Sequence, residues 1–216
     1  MSSEQRAAEP GNLIVVSAPS GAGKSTLVER ALARLDRLRY SISCTTRRPR
    51  GAEKNGVDYY FLSPEEFLAR RARGEFLESA EVHGFLYGTL KSEVERITAS
   101  GDDVILDLDV QGAKQIRRQM PEAVTVFIMP PSRGVLEARL RLRNLNEPAD
   151  LERRLRNAAA EVRTYQEFSY LIVNDDLERA SAELETIITA ERQRAKRKRV
   201  LAESIIETFG GEVFNA

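Results

Sequence analysis

Several residue types are scarce or absent in this chain, and each scarcity removes a class of protein from consideration. The 216 residues include one cysteine, one histidine and no tryptophan. A single cysteine permits no intrachain disulfide and fits a reducing compartment, so we predict a cytoplasmic protein. With no second cysteine and only the distant His83 as a possible partner, Cys44 is interpreted as a small packing residue.

The chain also lacks a net charge and any long apolar run. Lysine and arginine number 33, and aspartate and glutamate also number 33. A general nucleic-acid binder usually carries a basic excess, so we expect no nucleic-acid partner. No stretch approaches 18 apolar residues, and the polar start of the chain has no signal-peptide core, so we expect no membrane partner. We interpret residues 1–11 as a disordered N-terminus.

A glycine-rich segment at residues 18–25, Ala-Pro-Ser-Gly-Ala-Gly-Lys-Ser, directly follows the apolar run at 13–16. It is close to G-x-x-x-x-G-K-[ST], with alanine where the first glycine is standard. In such a loop, glycines let backbone N–H groups turn inward around a phosphate, and the next helix begins with a partial positive charge. The lysine can reach the β- and γ-phosphates, and the serine can ligate Mg²⁺. An ordinary glycine-rich turn is the alternative. The predicted ATP-binding residues of this loop are Ala18, Pro19, Ser20, Gly21, Ala22, Gly23, Lys24, Ser25 and Thr26.

Apolar runs and helical patterns alternate along most of the chain, which predicts an α/β fold with a parallel sheet. Strand-like runs lie near residues 12–17, 39–43, 103–109, 123–129 and 170–174. Helical patterns lie near residues 24–35, 111–119, 132–143, 150–167 and 175–198. This alternation of strands and helices changes between about residues 44 and 90. There, half-exposed strands at 57–62 and 75–82 flank a helix that begins at Ser63. We expect an inserted subdomain there.

Residues 45–61 resemble the signature of guanylate kinases, T-[ST]-R-x-x-[KR]-x-x-[DE]-x-x-G-x-x-Y-x-[FY]. Every fixed position is filled, by Thr45, Thr46, Arg47, Arg50, Glu53, Gly56, Tyr59 and Phe61. Further segments like those of the family follow in its order, at 75–78, 87–89, 105–112, 130–132 and 172–176. The resemblance extends over roughly residues 12 to 192, and it is to the bacterial type of the family.

The resemblance implies a P-loop nucleoside monophosphate kinase fold, in which a parallel central sheet is flanked by helices. It divides a kinase-like domain at 12–199 into a core (12–43 and 91–199), a GMP-binding insert (44–90) and a lid at about 143–158. Residues 200–216 would form a C-terminal extension.

The acceptor site needs groups for a dianionic phosphate and for guanine. Forked guanidinium groups suit phosphate oxygens. Guanine presents two adjacent donors that one carboxylate can answer, and the resemblance assigns this carboxylate to Glu78. A solvated residue on an edge strand is the alternative for Glu78. The predicted GMP-binding residues are Ser43, Arg47, Arg50, Glu53, Tyr59, Glu78, Tyr87, Thr89 and Asp109.

Charged residues near the predicted phosphate loop complete the expected site. Asp107 ends an apolar strand where an acid would help to hold Mg²⁺, so we predict Ser25 and Asp107 as metal ligands. Either Asp107 or Asp109 could instead only cap the next helix. The predicted catalytic residues are Lys24, Arg47, Arg139, Arg143 and Arg154, and the resemblance adds Asn174 to the ATP site. In the predicted lid, Asn144, Asn146 and Glu147 depart from the family pattern.

These features together predict an ATP:GMP phosphotransferase with Mg²⁺, acting on ATP, GMP and dGMP. A catalytically weak guanylate-kinase-like binding module is the alternative, although Lys24, Arg47 and Arg50 are all present. A GTPase would carry an Asn-Lys-x-Asp motif, which residues 174–176 do not provide.

The tail beyond the resemblance carries a pattern of its own. Leu201, Ile205 and Phe209 are four residues apart, which indicates a short helical stripe that needs a protein surface. We expect this segment to support a homo-oligomer, and a frayed tail is the alternative.

Overall fold

The computed structural model describes residues 9–82, 84–142 and 148–209. Its strands are β1 (Leu13–Ser17), β2 (Leu38–Tyr40), β3 (Cys44–Thr45), β4 (Tyr60–Phe61), β5 (Phe76–Val82), β6 (Phe85–Leu90), β7 (Asp103–Leu108), β8 (Val124–Met129) and β9 (Tyr170–Val173). Its helices are α1 (Lys24–Arg34), α2 (Pro64–Ala72), α3 (Lys91–Ala99), α4 (Val110–Gln119), α5 (Arg133–Leu142), α6 (Pro148–Glu161), α7 (Leu177–Glu191) and α8 (Arg199–Thr208). Short 3-10 helices follow α6 at Val162–Glu167 and α7 at Ala195–Lys198.

Five strands form the main sheet in the order β2-β7-β1-β8-β9, and every neighbouring pair is parallel. Parallel neighbours require crossover connections, which the helices supply. The carboxyl ends of the strands therefore meet at one edge, where the loops after β1 and β7 lie side by side. The predicted α/β fold with a parallel central sheet is confirmed.

The two faces of the main sheet bury alternate residues of β1. Ile14 and Val16 belong to a cluster with residues of α1 and α7. Leu13 and Val15 belong to a second cluster with residues of α3 and α4. Successive side chains of a strand point to opposite faces, so a strand covered on both sides carries apolar residues on both faces, as Leu13 to Val16 do.

A second sheet, in the order β4-β3-β6-β5, is built from the chain between β2 and α3. Cys44, Phe67 and Phe76 form its buried centre. The two phenylalanine rings stack with centroids 4.5 Å apart. The predicted strand at 57–62 is reduced to two residues, because Gly56 donates its backbone N–H to the Tyr59 carbonyl in a turn.

Several predicted boundaries differ from the structure. The helix predicted at 150–167 tightens into a 3-10 helix after Glu161, and the helix predicted at 175–198 ends at Glu191. The strand predicted at 39–43 ends at Tyr40, because β2 lies at the edge of the described sheet and pairs with β7 over three residues. The sequence patterns did not predict β6 or α3.

The C-terminal helix α8 forms where the apolar stripe predicts it. The Val200 N–H donates to Glu9 Oε1 at 2.6 Å, and Leu201 is half-buried. Ile205, Ile206 and Phe209 remain exposed among the described residues, with Phe209 at 86%. Self-association through this helix therefore stays a prediction. Within the described ranges, none of the helices combines the length and apolar character that crossing a bilayer demands.

Candidate active site

The glycine-rich loop runs from the end of β1 to the start of α1, and two of its glycines need their conformational freedom. Gly21 and Gly23 have φ values of 89° and 95°. A Cβ on Gly23 would lie 2.3 Å from Asn174 Nδ2, and one on Gly21 would lie 2.8 Å from a Leu140 methyl carbon. Among the described residues, Arg37 alone combines a side chain with a positive φ, so the loop tolerates Ala18 in place of glycine.

Asn174 and Arg139 contact the glycine-rich loop through hydrogen bonds. The buried Asn174 amide donates to the Ala22 carbonyl at 2.7 Å. Arg139 donates to the Asn174 carbonyl at 2.9 Å and to the Ala22 carbonyl at 3.4 Å. Neither side chain lines the cavity in front of the loop. Both residues therefore support the phosphate loop in this arrangement rather than facing the phosphate space.

Lys24, Ser25 and Asp107 come together at the carboxyl ends of β1 and β7. Lys24 Nζ lies 2.5 Å from Asp107 Oδ1 and donates to the Leu108 carbonyl at 2.6 Å. Ser25 Oγ donates to Asp107 Oδ2 at 3.3 Å. The two parallel strands are direct neighbours, so their loops place a cation, a hydroxyl and a carboxylate within contact of each other.

A cavity of about 700 Å³ opens in front of the loop. Its lining residues are Ala18, Pro19, Ser20, Gly21, Gly23, Lys24, Ser25, Tyr59, Glu81, Val82, Asp107, Asp109, Gln111, Arg153, Arg154, Asn157 and Glu161. Ala22 is fully buried, and Thr26 is half-buried on α1 outside this lining.

Helix α6 brings a cation to the loop. Arg154 donates to Ser20 Oγ at 3.2 Å and to Asp150 Oδ2 at 2.9 Å. Leu151 and Leu155 of the same helix pack against α5, and this packing positions α6 beside the loop. The predicted catalytic Arg143 lies outside the described residues, as do Asn144, Asn146 and Glu147.

A second cavity, of about 210 Å³, adjoins the first and lies against the second sheet. Its lining residues are Tyr40, Ser43, Tyr59, Glu78, Ala80, Val82, Tyr87, Asp107, Leu108 and Asp109. Among the described residues, both cavities are lined by Tyr59, Val82, Asp107 and Asp109. The two spaces are therefore compartments of one cleft.

The side chain of Glu78 lines the smaller compartment. Its side chain is only 5% exposed, although β5 is an edge strand, so it is not the solvated residue of the alternative interpretation. Thr89 Oγ1 donates to Glu78 Oε1 at 2.8 Å. Burial raises the pKa of Glu78 to about 7; the hydroxyl of Thr89 opposes this shift, and the nearby Asp109 adds to it. A carboxylate in this position is poorly solvated, so hydrogen bonds from a pair of N–H donors would stabilise its charged form.

Asp109 has two roles at once. Its Oδ1 accepts the Gly112 N–H at 2.7 Å as the N-cap of α4, while the residue also lines both compartments. The capping alternative therefore holds for Asp109 and does not remove it from the cleft.

Arg47 and Glu53 form a bidentate ion pair beside the cleft. Both Arg47–Glu53 hydrogen bonds are 2.9 Å, and the guanidinium lies 5.3 Å from the Tyr59 ring centroid. These bonds hold the pKa of Arg47 above its usual range. Glu53 also accepts the Arg50 N–H at 2.8 Å, so its carboxylate contacts the two arginines rather than the cavity. Neither Arg47 nor the exposed Arg50 lines either compartment, although Tyr59, whose ring lies against the Arg47 guanidinium, lines both.

Some residues of the cleft were missed from sequence. Asn157 and Glu161 were not predicted, although they lie three and seven residues after the predicted Arg154 on α6, a spacing that could have identified one helix face toward the cleft. Burial raises the pKa of Glu161, and Asp109 adds to the shift, whereas Lys24 lowers it. Tyr40 carries no signal in the sequence beyond its place at the end of a strand.

Comparisons with known proteins agree with this geometry. A model of the guanylate kinase family matches residues 10–191. A guanylate kinase of Alkalilimnicola ehrlichii is 46% identical over 202 residues, covering 93% of this chain and all of that protein. One from Symbiobacterium thermophilum is 49% identical over 198 residues, covering 91% and 94%. The crystal structure of guanylate kinase from Anaplasma phagocytophilum superimposes with a TM-score of 0.76 at 33% identity, covering 95% of this chain and 99% of the other.

Proposed function

The chain belongs to the guanylate kinase family, and on this premise we propose that its cleft transfers the γ-phosphoryl group of ATP to GMP, giving ADP and GDP. The observation that carries the assignment of the acceptor is the buried carboxyl group of Glu78 in a compartment continuous with the phosphate loop. Phosphoryl transfer needs both nucleotides in one cleft, with donor and acceptor oxygens in line.

Guanine fits the smaller compartment because of its donors. Its ring N–H and amino group lie side by side, and the two oxygens of Glu78 can accept one each. Thr89 already donates to Oε1, which orients the carboxylate. Adenine offers no such pair of donors, so it would leave the buried carboxylate without partners from the base, and buried polar groups left unpaired discriminate strongly between substrates.

The acceptor phosphate needs cations close to the border between compartments. Arg47 lies behind Tyr59 with both of its terminal nitrogens bound to Glu53. We assign Arg47 and Arg50 to the acceptor phosphate, with Tyr59 and Tyr87 as hydroxyl donors at the cavity wall. Glu53 then acts through Arg47, because it fixes the plane of the guanidinium.

The donor phosphates belong in the larger compartment. Lys24 and Arg154 flank the loop and supply fixed positive charge where charge develops in the transition state. Ser25 and Asp107 present oxygen ligands 3.3 Å apart, which suits Mg²⁺, an ion that usually takes few protein ligands and keeps waters and phosphate oxygens. Ser25 and Asp107 would hold this ion, which would supply positive charge against the phosphate oxygens.

A coupled assay with each nucleoside monophosphate tests this function. With ATP and Mg²⁺, we expect rapid ADP formation with GMP and turnover lower by orders of magnitude with AMP, CMP or UMP. The Glu78→Gln variant should lose most of the preference for GMP, because an amide can accept only one of the two donors. The exposed Glu95 on α3 provides a matched control, and Glu95→Gln should leave the preference unchanged.

Two outcomes would overturn the proposal. Equal turnover of AMP and GMP would remove Glu78 from base recognition. Tight GMP binding without ADP formation would instead favour the catalytically weak binding module.

A further inference from the structure

The outer edge of β5 is paired with side chains of α4 instead of with another strand. Strand β5 is the last strand of the second sheet, so no strand of the described residues pairs with its outward backbone groups. Gln115 Oε1 accepts the Ser79 N–H at 3.1 Å, and Gln115 Nε2 donates to the Ser79 carbonyl at 2.9 Å. The side-chain amide thus replaces the two hydrogen bonds that a neighbouring strand would make.

A second glutamine repeats the contact one helical turn later. Gln119 Nε2 donates to the Leu77 carbonyl at 2.7 Å. Leu77 and Ser79 are the two neighbours of Glu78 in the chain, so the two glutamines fix the backbone on both sides of it. Residues 115 and 119 are four apart, which places both amides on one face of α4.

The same face of α4 approaches the carboxyl group of Glu78 directly. A Cβ on Gly112 would lie 3.0 Å from Glu78 Oε2, so the helix backbone comes close to the carboxylate there. Gly112, Gln115 and Gln119 therefore form a continuous strip along β5. Helix α4 begins at Asp109, which lines the cleft, so the strip connects Glu78 rigidly to the core of the molecule.

We propose that Gln115 and Gln119 are positioning residues for guanine specificity, which hold the Glu78 carboxylate where both of its oxygens can accept donors from the base. The proposal rests on the function proposed above. A carboxylate that accepts two N–H groups needs both distances within hydrogen-bond range at once, and hydrogen bonds weaken steeply when their angles fall below about 120°. An edge strand without a partner would twist and move, and Glu78 would move with it.

The test compares GMP with inosine monophosphate, which lacks the amino group and offers Glu78 one donor instead of two. Dissociation constants for both nucleotides are measured by calorimetry, and steady-state kinetics follow with ATP. We expect Gln115→Ala to reduce the preference for GMP over inosine monophosphate by roughly threefold to tenfold, the size of one hydrogen bond. The KM for GMP should rise, while kcat and the KM for ATP stay within about twofold, since the phosphate loop is not touched.

Matched variants separate positioning from a general loss of structure. Lys114→Ala, at an exposed site on the same helix, should leave the preference unchanged. Gln115→Glu keeps an acceptor for the Ser79 N–H and loses the donor, so its preference should lie between those of the wild type and Gln115→Ala. In a Glu78→Gln background, Gln115→Ala should no longer alter the preference, because the carboxylate it positions is gone.

A loss of stability alone would reduce the active fraction for both nucleotides equally and leave their ratio unchanged. An unchanged ratio in Gln115→Ala and in Gln119→Ala overturns the proposal. The function proposed above fails on a different result, namely the absence of ADP formation. Because the dissociation constants are measured without turnover, the positioning role is decided in either case.

Discussion

Glu78→Gln should make the protein more stable while it damages substrate selection. Burial raises the pKa of Glu78 to about 7 from an ordinary value of 4.5. The folded state therefore holds this proton more tightly than the unfolded state does. Between pH 4.5 and 7 the unfolded chain releases the proton first, so the free energy of unfolding falls as the pH rises and then levels off.

The difference between these pKa values lowers the free energy of unfolding by about 3 kcal/mol above pH 7. At pH 5 it lowers the free energy of unfolding by less than about 1 kcal/mol. A glutamine has no charge to bury and can still accept the Thr89 hydroxyl. The stability gained by Glu78→Gln should thus grow by about 2 kcal/mol from pH 5 to pH 8, or roughly 4 to 8 °C in melting temperature.

Urea denaturation of the wild type and Glu78→Gln at pH 5, 6, 7 and 8 measures this dependence. Glu95→Gln, at an exposed site, should show no such growth in stability with pH. A Glu78→Gln gain of the same size at pH 5 and pH 8 would refute the reasoning, since the cost would then not come from burying a charge. In the wild type the KM for GMP should rise as the pH falls below 7, because the protonated acid accepts fewer donors.

Three further changes probe other parts of the cleft. Lys24→Met should reduce turnover by about two orders of magnitude or more, from a loss of about 3 kcal/mol or more of transition-state stabilisation; near-normal turnover with a normal melting curve would remove the loop from the mechanism. Glu53→Gln should raise the KM for GMP roughly tenfold with an unchanged KM for ATP in steady-state kinetics, because Arg47 loses a bidentate partner; equal changes in both KM values would contradict this role. Deleting residues 200–216 should lower the melting temperature or change the sedimentation profile and leave GMP turnover per folded chain nearly unchanged; identical mass and melting would exclude a role for the tail in association.

The sequence patterns predicted those parts of the fold and site that depend on local chemistry. The phosphate loop has its residues in one short segment, and the alternating apolar runs required a parallel sheet with its polar loops at one edge. That edge brings Lys24 to Asp107 across 83 residues of chain, a contact that follows from strand order alone.

Contacts between elements without a motif could not be predicted. Gln115 and Ser79 are 36 residues apart in the chain, and their contact arises because α4 packs on β5. No hydrophobic periodicity in the sequence indicates this packing. The ion pair of Arg47 with Glu53 was missed for another reason, because both residues carry a signature that assigns them to substrate and says nothing of their contact with each other. Strand β6 was missed because its residues mix exposed and buried positions without regular alternation.

The single thiol of the chain, Cys44, is a built-in probe for opening of the second sheet. Cys44 is fully buried against Phe67 and Phe76, and burial raises its pKa to about 11. A thiol-reactive reagent can therefore modify the native protein only during moments when this sheet opens, and the chain has no other cysteine to compete. The labelling rate at increasing urea then separates local opening of the second sheet from unfolding of the whole molecule, without an engineered probe.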